Sequence, residues 1–292
     1  MQLLVVGAKG MLGSEMARQI GARGLADADA RALELTALDL PEFDITGQDA
    51  VRRTVEEVRP DVILNCAAYT DVDGCETHRD EAFAVNAEGP RHLAQAARSV
   101  GALLVHLSTD FVFDGEKRQP YVEEDLPRPL SAYAQSKLAG EEAIRNAADR
   151  HLIVRTSWLF GRGGRNFVTT ILQKAGDGGP LRVVSDQTGC PTYAKDLTLA
   201  LLTAVERGLT GTYHLCNAGP TTWFDLASEA VKMAGLAVEV RPIATRDWPR
   251  PARVPAWSVL SCEKAWRDAR IALRPWREAL REFIHTDLGL RC

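Results

Sequence analysis

The chain lacks any apolar stretch long enough for a transmembrane helix. It lacks an excess of positive charge. With 35 Lys and Arg against 39 Asp and Glu the net charge is −4, so the whole-chain balance supports neither nucleic-acid binding nor attachment to an acidic membrane. Its six cysteines (Cys66, Cys75, Cys190, Cys216, Cys262 and Cys292) lack the paired spacing of metal ligands. Cys66 and Cys75 are too far apart for a zinc knuckle, and no histidine pair follows them. They read as reduced thiols, several of them buried, in a cytoplasmic protein. The opening Met1-Gln2-Leu3-Leu4-Val5-Val6 is too short for a signal peptide and runs straight into a glycine turn. Internal repeats and low-complexity tracts are absent too.

What is there fits a globular enzyme. The 292 residues allow one large domain, or one domain with a smaller lobe. Hydrophobic residues at 46% and charged residues at 25% are ordinary for a soluble fold. Short apolar runs at 3–6, 35–38, 62–64, 103–107 and 152–154 read as buried strands. Helical patterns separate them: one from Leu12 to Ile20, then 51–58, 89–100 and 133–147. This alternation implies a doubly wound parallel sheet of Rossmann type, covered on both faces. We expect a dinucleotide-binding domain over 1–160, completed by strands within 181–216. Residues 161–292 then form mostly a substrate-binding lobe interleaved with it. Later signals are a helix at 167–174, a strand at 211–216 and an irregular proline- and arginine-rich segment at 241–255. Trp257, Trp266 and Trp276 are expected to pack the lobe.

Three motifs carry chemistry. Gly7, Gly10 and Gly13 lie between the first strand and the first helix, the setting in which a glycine turn holds a dinucleotide diphosphate on helix N–H groups. Asp39, ending the second strand, is either an acceptor for the adenosine ribose or an ordinary turn carboxylate. It favours NADH, whereas Lys9 in the glycine turn favours NADPH, and the cofactor stays open between them. Tyr133 and Lys137 lie one helical turn apart on one face. A free phenol has a pKa of about 10, and a nearby ammonium lowers it, which suits Tyr133 as a general acid. Ser108-Thr109-Asp110 ends an apolar strand, where Thr109 can share the substrate oxygen with Tyr133. His106 and His214, on buried strands, read as core or supporting groups. The remaining histidines show no ligand spacing.

With these motifs in this order, the chain resembles the extended short-chain dehydrogenase/reductase family. Asn65 to Asp73, Ser108 to Phe113, Arg155 to Trp158, Asp186 to Thr192, Thr221 to Trp223 and the Arg-Pro stretch near Arg253 look like the dTDP-4-dehydrorhamnose reductases within it. The resemblance covers nearly the whole chain. It implies NAD(P)H-dependent reduction of the C4 keto group of dTDP-6-deoxy-L-lyxo-4-hexulose to dTDP-L-rhamnose. It further implies that Gly10, Met11 and Leu12 contact the cofactor diphosphate, and that Asp39, Asp44 and Ile45 lie near the adenosine. Ala68, Tyr69 and Thr70 then line the cofactor crevice, with Thr70 and Val72 near substrate. Thr109 and Asp110 face the sugar, Tyr133 supplies the proton, Lys137 holds the ribose and Trp158 packs on the deoxysugar.

Arg246, Arg250 and Arg253 are candidates for the substrate diphosphate, since guanidinium forks match phosphate oxygens. Some members bind magnesium through glutamates at a dimer interface. Glu15 matches one such position, but Lys195 stands where another acid is expected, and the chain ends in Arg291-Cys292. A divalent cation wants several oxygen ligands, so neither Mg2+ nor that form of dimer is expected; a homodimer as such stays open. The rival readings are a nucleotide-sugar epimerase of the same family and a non-catalytic cofactor-binding subunit resembling the regulatory subunit of methionine adenosyltransferase.

Overall fold

Each apolar run of the first half is followed by a helix that carries the chain back across the sheet, so the strands pair in parallel. In the computed structural model, which describes residues 1–23 and 34–290, six strands form one sheet. β1 is Gln2–Val6, β2 Glu34–Leu38, β3 Val62–Asn65, β4 Leu103–Thr109 and β5 His151–Thr156. The strand Gly211–His214 completes the order Gly211–His214, β5, β4, β3, β1, β2, all parallel. The order reverses at β1, because β2 lies on one side of it and β3 on the other. A crevice opens at such a switch point, beyond the carboxyl ends of the strands.

Both faces of the sheet are buried, which is why the strands read as continuous apolar runs and not as alternating ones. On one face Leu3 and Val5 pack against Leu12, Met16 and Ile20 of helix α1 (Met11–Arg23) and against Leu197 and Leu201. On the other, Leu4, Val6 and Ile63 pack against Val51, Val55, Leu93, Ala97 and Ile144. The helix Ala194–Glu206, far along the chain, returns to lie on α1. A second core gathers Phe160, Tyr193, Leu226, Trp276 and Phe283, with Trp158 and Trp223 at its margin.

Three expectations are corrected. Within 241–255 the residues Val240–Ile243 form a strand, paired in parallel with Leu181–Val184. A two-stranded edge tolerates Pro242, and the prolines that follow hid the strand in the sequence. The strand expected at 211–216 stops at His214. Of the three tryptophans, Trp276 is fully buried and Trp257 half-buried, but Trp266 is half-exposed under the Arg270 guanidinium. Its short helix, Glu263–Ala269, buries Ala265 and Ala269 instead.

One buried ion pair fastens the helix Ala132–Ala147 to the sheet. Glu141 accepts from Arg155 Nε at 2.9 Å and Nη2 at 2.8 Å, and also from Ser108 and Arg145. Burial pushes its carboxyl up, but Arg155, then Ser108 and Arg145, outweigh burial and hold the pKa below the usual range. A carboxyl depressed in the folded state stabilises the fold above its unfolded pKa and loses that contribution as pH falls through the folded value. Glu141→Gln is therefore expected to cost about 3 kcal/mol, because it strands the Arg155 charge. Urea unfolding checks this. The gap between wild type and variant should be full at neutral pH and shrink below about pH 4.

Candidate active site

The glycine turn is pressed against the end of β3. Gly7 has φ +77°, and a Cβ there would lie 2.5 Å from the Ala67 amide nitrogen. A Cβ on Gly13 would lie 2.2 Å from the Gly7 carbonyl oxygen. Gly10 is freer, meeting only that oxygen at 3.3 Å, and it faces the crevice. A cavity of about 270 Å³ on the β2 side is lined by Gly7, Lys9, Asp39, Phe43, Asp44 and Ile45. A larger one of about 700 Å³ runs from Gly10, Met11, Leu12 and Gly13 past Ala68, Thr70 and Val72 to Thr109, Asp110, Tyr133, Lys137 and Trp158. The two share Gly10, Cys66 and Ala68, so they form one crevice across the ends of β1, β3 and β4.

Tyr69 is the sequence candidate that the crevice leaves out. Asn86 holds its peptide from both sides, accepting from Tyr69 N at 2.9 Å and donating to Tyr69 O at 3.0 Å. Its ring packs with Cys75, Ala82 and Ala132 instead. Asp39 serves the turn: one carboxylate oxygen accepts from Lys9 N at 2.6 Å, the other from Leu40 N at 2.7 Å. The Lys9 ammonium reaches outward to Leu40 O and to Glu42 at 3.0 Å.

Tyr133 sits in the first turn of its helix, capped by Ser131, whose side chain accepts from Ala134 N. Thr109, whose hydroxyl donates to Asp110 Oδ1 at 3.1 Å, lines the same cavity as the phenol, and Phe111 packs edge-on against the Tyr133 ring. Burial, more than anything else, pushes the phenol pKa up; Thr109 opposes it and Asp110 adds to it. Lys137, one turn on, reaches past the phenol to the sheet and donates to Leu107 O at 2.6 Å. Burial pulls its pKa down to about 8, against the pull of Glu141 and Cys66. Loss of water governs both groups, and Tyr133 is held protonated. Asp110 is buried, and its pKa is pushed to about 7 by that burial, opposed by Ser258 and Thr109. Its Oδ2 has no hydrogen-bond partner among the described residues.

The far wall is aromatic. Trp158 stacks on Trp223 with ring centroids 3.5 Å apart and planes 7° apart. Its backbone is left-handed, with φ +47°, a conformation that costs a bulky residue about 1–3 kcal/mol. Gly189 lies directly beneath the indole. Of the three candidate arginines only Arg250 lines the cavity, with Nε donating to Asp73 at 2.9 Å. Arg246 and Arg253 project into solvent.

This arrangement matches known proteins along its length. The family model described as RmlD substrate binding domain matches residues 1–288. The chain belongs to this family. A dTDP-4-dehydrorhamnose reductase of Streptomyces griseus is 44% identical, over 96% of this chain and 91% of that one. A probable dTDP-4,6-dihydroxy-2-methyloxan-3-one 4-ketoreductase of Streptomyces antibioticus is 43% identical, over 97% and 94%. The crystal structure of a dTDP-4-dehydrorhamnose reductase from Bacillus anthracis in complex with NADP superposes with a TM-score of 0.92 at 35% identity, covering 97% of this chain and 98% of that chain.

In this RmlD-family chain, sequence reasoning missed several lining residues. Trp223, Arg165 and Phe167 line the same cavity, as do Thr156 and Ser157. The glycines of the segment Gly161 to Arg165 seat against Met11 and Ser14 and bring Arg165 to the crevice. The Trp158–Trp223 pair joins residues 65 positions apart, beyond any local pattern. Both Glu15 oxygens accept hydrogen bonds, from Arg18 and Gln19, and Lys195 pairs with Glu282. Among the described residues no group of three or more His, Cys, Asp or Glu is arranged to hold a metal ion; Arg291 and Cys292 lie outside them. No helix among those residues is long and apolar enough to cross a membrane.

Gly189 offers a direct check of the aromatic wall. A Cβ there would lie 2.5–2.7 Å from three indole atoms of Trp158, so the indole would be displaced from its stack on Trp223. Gly189→Ala is expected to raise KM for the sugar nucleotide about tenfold or more, the weight of about 1.4 kcal/mol of lost contact, with cofactor affinity unchanged. Steady-state kinetics and a cofactor titration measure both.

Proposed function

We propose that this protein is an NAD(P)H-dependent reductase that converts the C4 keto group of dTDP-6-deoxy-L-lyxo-4-hexulose to the hydroxyl of dTDP-L-rhamnose. What carries the reading is that Tyr133, Thr109 and buried Lys137 line one cavity, which continues past Gly10, Cys66 and Ala68 into a second cavity beside Asp39. One end suits a dinucleotide and the other a sugar nucleotide.

The residues present fit the cofactor. The first-turn N–H groups of α1, at Met11, Leu12 and Gly13, have no acceptors within the helix and stand where Gly10 leaves room for a diphosphate. Phe43, Asp44 and Ile45 give the adenosine a half-apolar seat beside Asp39. Lys137 holds the nicotinamide ribose. When bound, the dinucleotide supplies the hydride.

The chain supplies the proton and the geometry. Tyr133, kept protonated by burial, gives its phenolic proton to the C4 oxygen as charge develops there. Thr109 donates to the same oxygen and spreads that charge. Asp110, with an unpaired oxygen and a pKa near 7, faces the sugar hydroxyls. Trp158 and Trp223 offer a flat apolar wall to the C6 methyl group. Arg250, with Arg165, faces the substrate diphosphate. The Streptomyces antibioticus 4-ketoreductase supports a second reading, the same C4 reduction on another dTDP-linked deoxysugar.

Incubation with NADPH or NADH and the keto-sugar nucleotide should consume reduced cofactor one for one with product. A changed sugar with no net consumption would establish the epimerase instead. Tyr133→Phe should cut kcat about a hundredfold or more while cofactor binding persists. Unchanged turnover in that variant would remove Tyr133 from the mechanism.

A further inference from the structure

Lys137 is buried without a carboxylate of its own. Glu141, one turn along the same helix, is engaged by Arg155 from β5 and by Arg145. Cys66, after β3, is a neutral thiol, its pKa pushed up to about 12 by burial. Tyr133, on the other side, is a neutral phenol. Two polar neighbours on β4 remain: the Leu107 carbonyl oxygen, which accepts from Lys137 Nζ at 2.6 Å, and His106, whose Nε2 lies 3.4 Å from it.

The hydrogen bonds around His106 decide which of its nitrogens carries the proton. Asn65 and His106 are register partners on β3 and β4, both buried. The Ala67 amide donates to Asn65 Oδ1 at 3.1 Å, which fixes the orientation of the side-chain amide. Asn65 Nδ2 therefore faces His106 Nδ1, at 3.1 Å. An amide NH2 can only donate, so Nδ1 accepts. Burial keeps the imidazole neutral, with its pKa well below the ordinary histidine value. The single ring proton must then sit on Nε2, pointing at Lys137. An ammonium has no lone pair to receive that N–H, whereas an amine has one.

We propose that His106, with its tautomer fixed by Asn65, is a positioning residue that favours the amine form of Lys137, so that this lysine exchanges a proton within the working pH range. The pairing weakens the hold of Lys137 on its proton. After Tyr133 has given its proton to the C4 oxygen, Lys137 can pass one toward the phenolate, become an amine that accepts from His106, and regain a proton from water. The ammonium is the working form, so turnover declines as pH rises through the Lys137 pKa. That consequence for turnover rests on the reductase reading; the tautomer and the lysine titration do not.

The test uses the full-length, cofactor-free protein with 15N-labelled histidine and 13C-labelled lysine. NMR should show His106 as the Nε2–H tautomer from pH 6 to 9 and Lys137 titrating about two units below free lysine. An Nδ1–H tautomer, or an ordinary lysine titration, would overturn the assignment. In Asn65→Asp, the carboxylate accepts from both Ala67 N and His106 Nδ1, which turns the Nε2 lone pair toward Lys137. The tautomer should reverse, and the Lys137 titration and the alkaline limb of kcat should both rise by about one unit or more. A carboxylate acting through charge alone would raise the lysine titration without reversing the tautomer, and that result contradicts the proposal. An unmoved titration in a variant whose tautomer has reversed contradicts it too. If wild type shows the expected tautomer and titration but consumes no cofactor, the reductase reading fails and the assignment of His106 stands.

Discussion

The site depends on the buried Glu141–Arg155 pair. Glu141 lies one turn beyond Lys137 and two beyond Tyr133, on a helix that must present both side chains to the end of β4. Its carboxylate joins that helix to two strands at once, accepting from Ser108 on β4 and Arg155 on β5. Ser108 immediately precedes Thr109. A single carboxylate thus sets the distance between the helix that carries the phenol and the strand that carries the partner hydroxyl. A buried pair of this kind gives little net stability, but removing one partner is costly, so the register it imposes is firmly held.

Within that register, burial more than any neighbouring charge sets the proton affinities of the phenol and the lysine. Glu141, already bonded to arginines, pulls the Lys137 pKa upward by charge alone, and burial outweighs that pull. Loss of water then dominates both reacting side chains: it keeps Tyr133 protonated and loosens the proton on Lys137. The phenol is a proton donor at rest. Asp110 belongs to the same regime, a carboxyl brought to about 7 by burial beside the same hydroxyls. Three titratable groups with displaced proton affinities at one strand end are what a reduction coupled to proton transfer requires.

Much of this was legible in the sequence because it is local. β1, the glycine turn and α1 are contiguous, and the spacing of Tyr133 and Lys137 is one turn of one helix. The doubly wound order follows from alternation alone. The parts that escaped are built from distant residues. Trp223 reaches Trp158 only after the second core has folded, and Arg165 enters the crevice through a turn that looks like a plain connection. Asn65 and His106 are 41 positions apart and meet only through the pairing of β3 with β4. The short strand Val240–Ile243 was hidden by the prolines around it. The direction of the Tyr69 ring and the loss of water at Tyr133 were hidden for a related reason: sequence spacing says which residues are near, not which way a side chain turns or how much water it loses.

The central claim is that C4 of a dTDP-linked keto-sugar receives hydride from the cofactor while the C4 oxygen receives its proton from Tyr133. The most direct test runs the reaction with cofactor deuterated at C4 of the nicotinamide, in ordinary water, and locates the label in the sugar by NMR. The account predicts deuterium on C4 of the product, one per cofactor oxidised, with none elsewhere on the ring. A product whose C4 hydrogen comes wholly from the substrate or from water would contradict it.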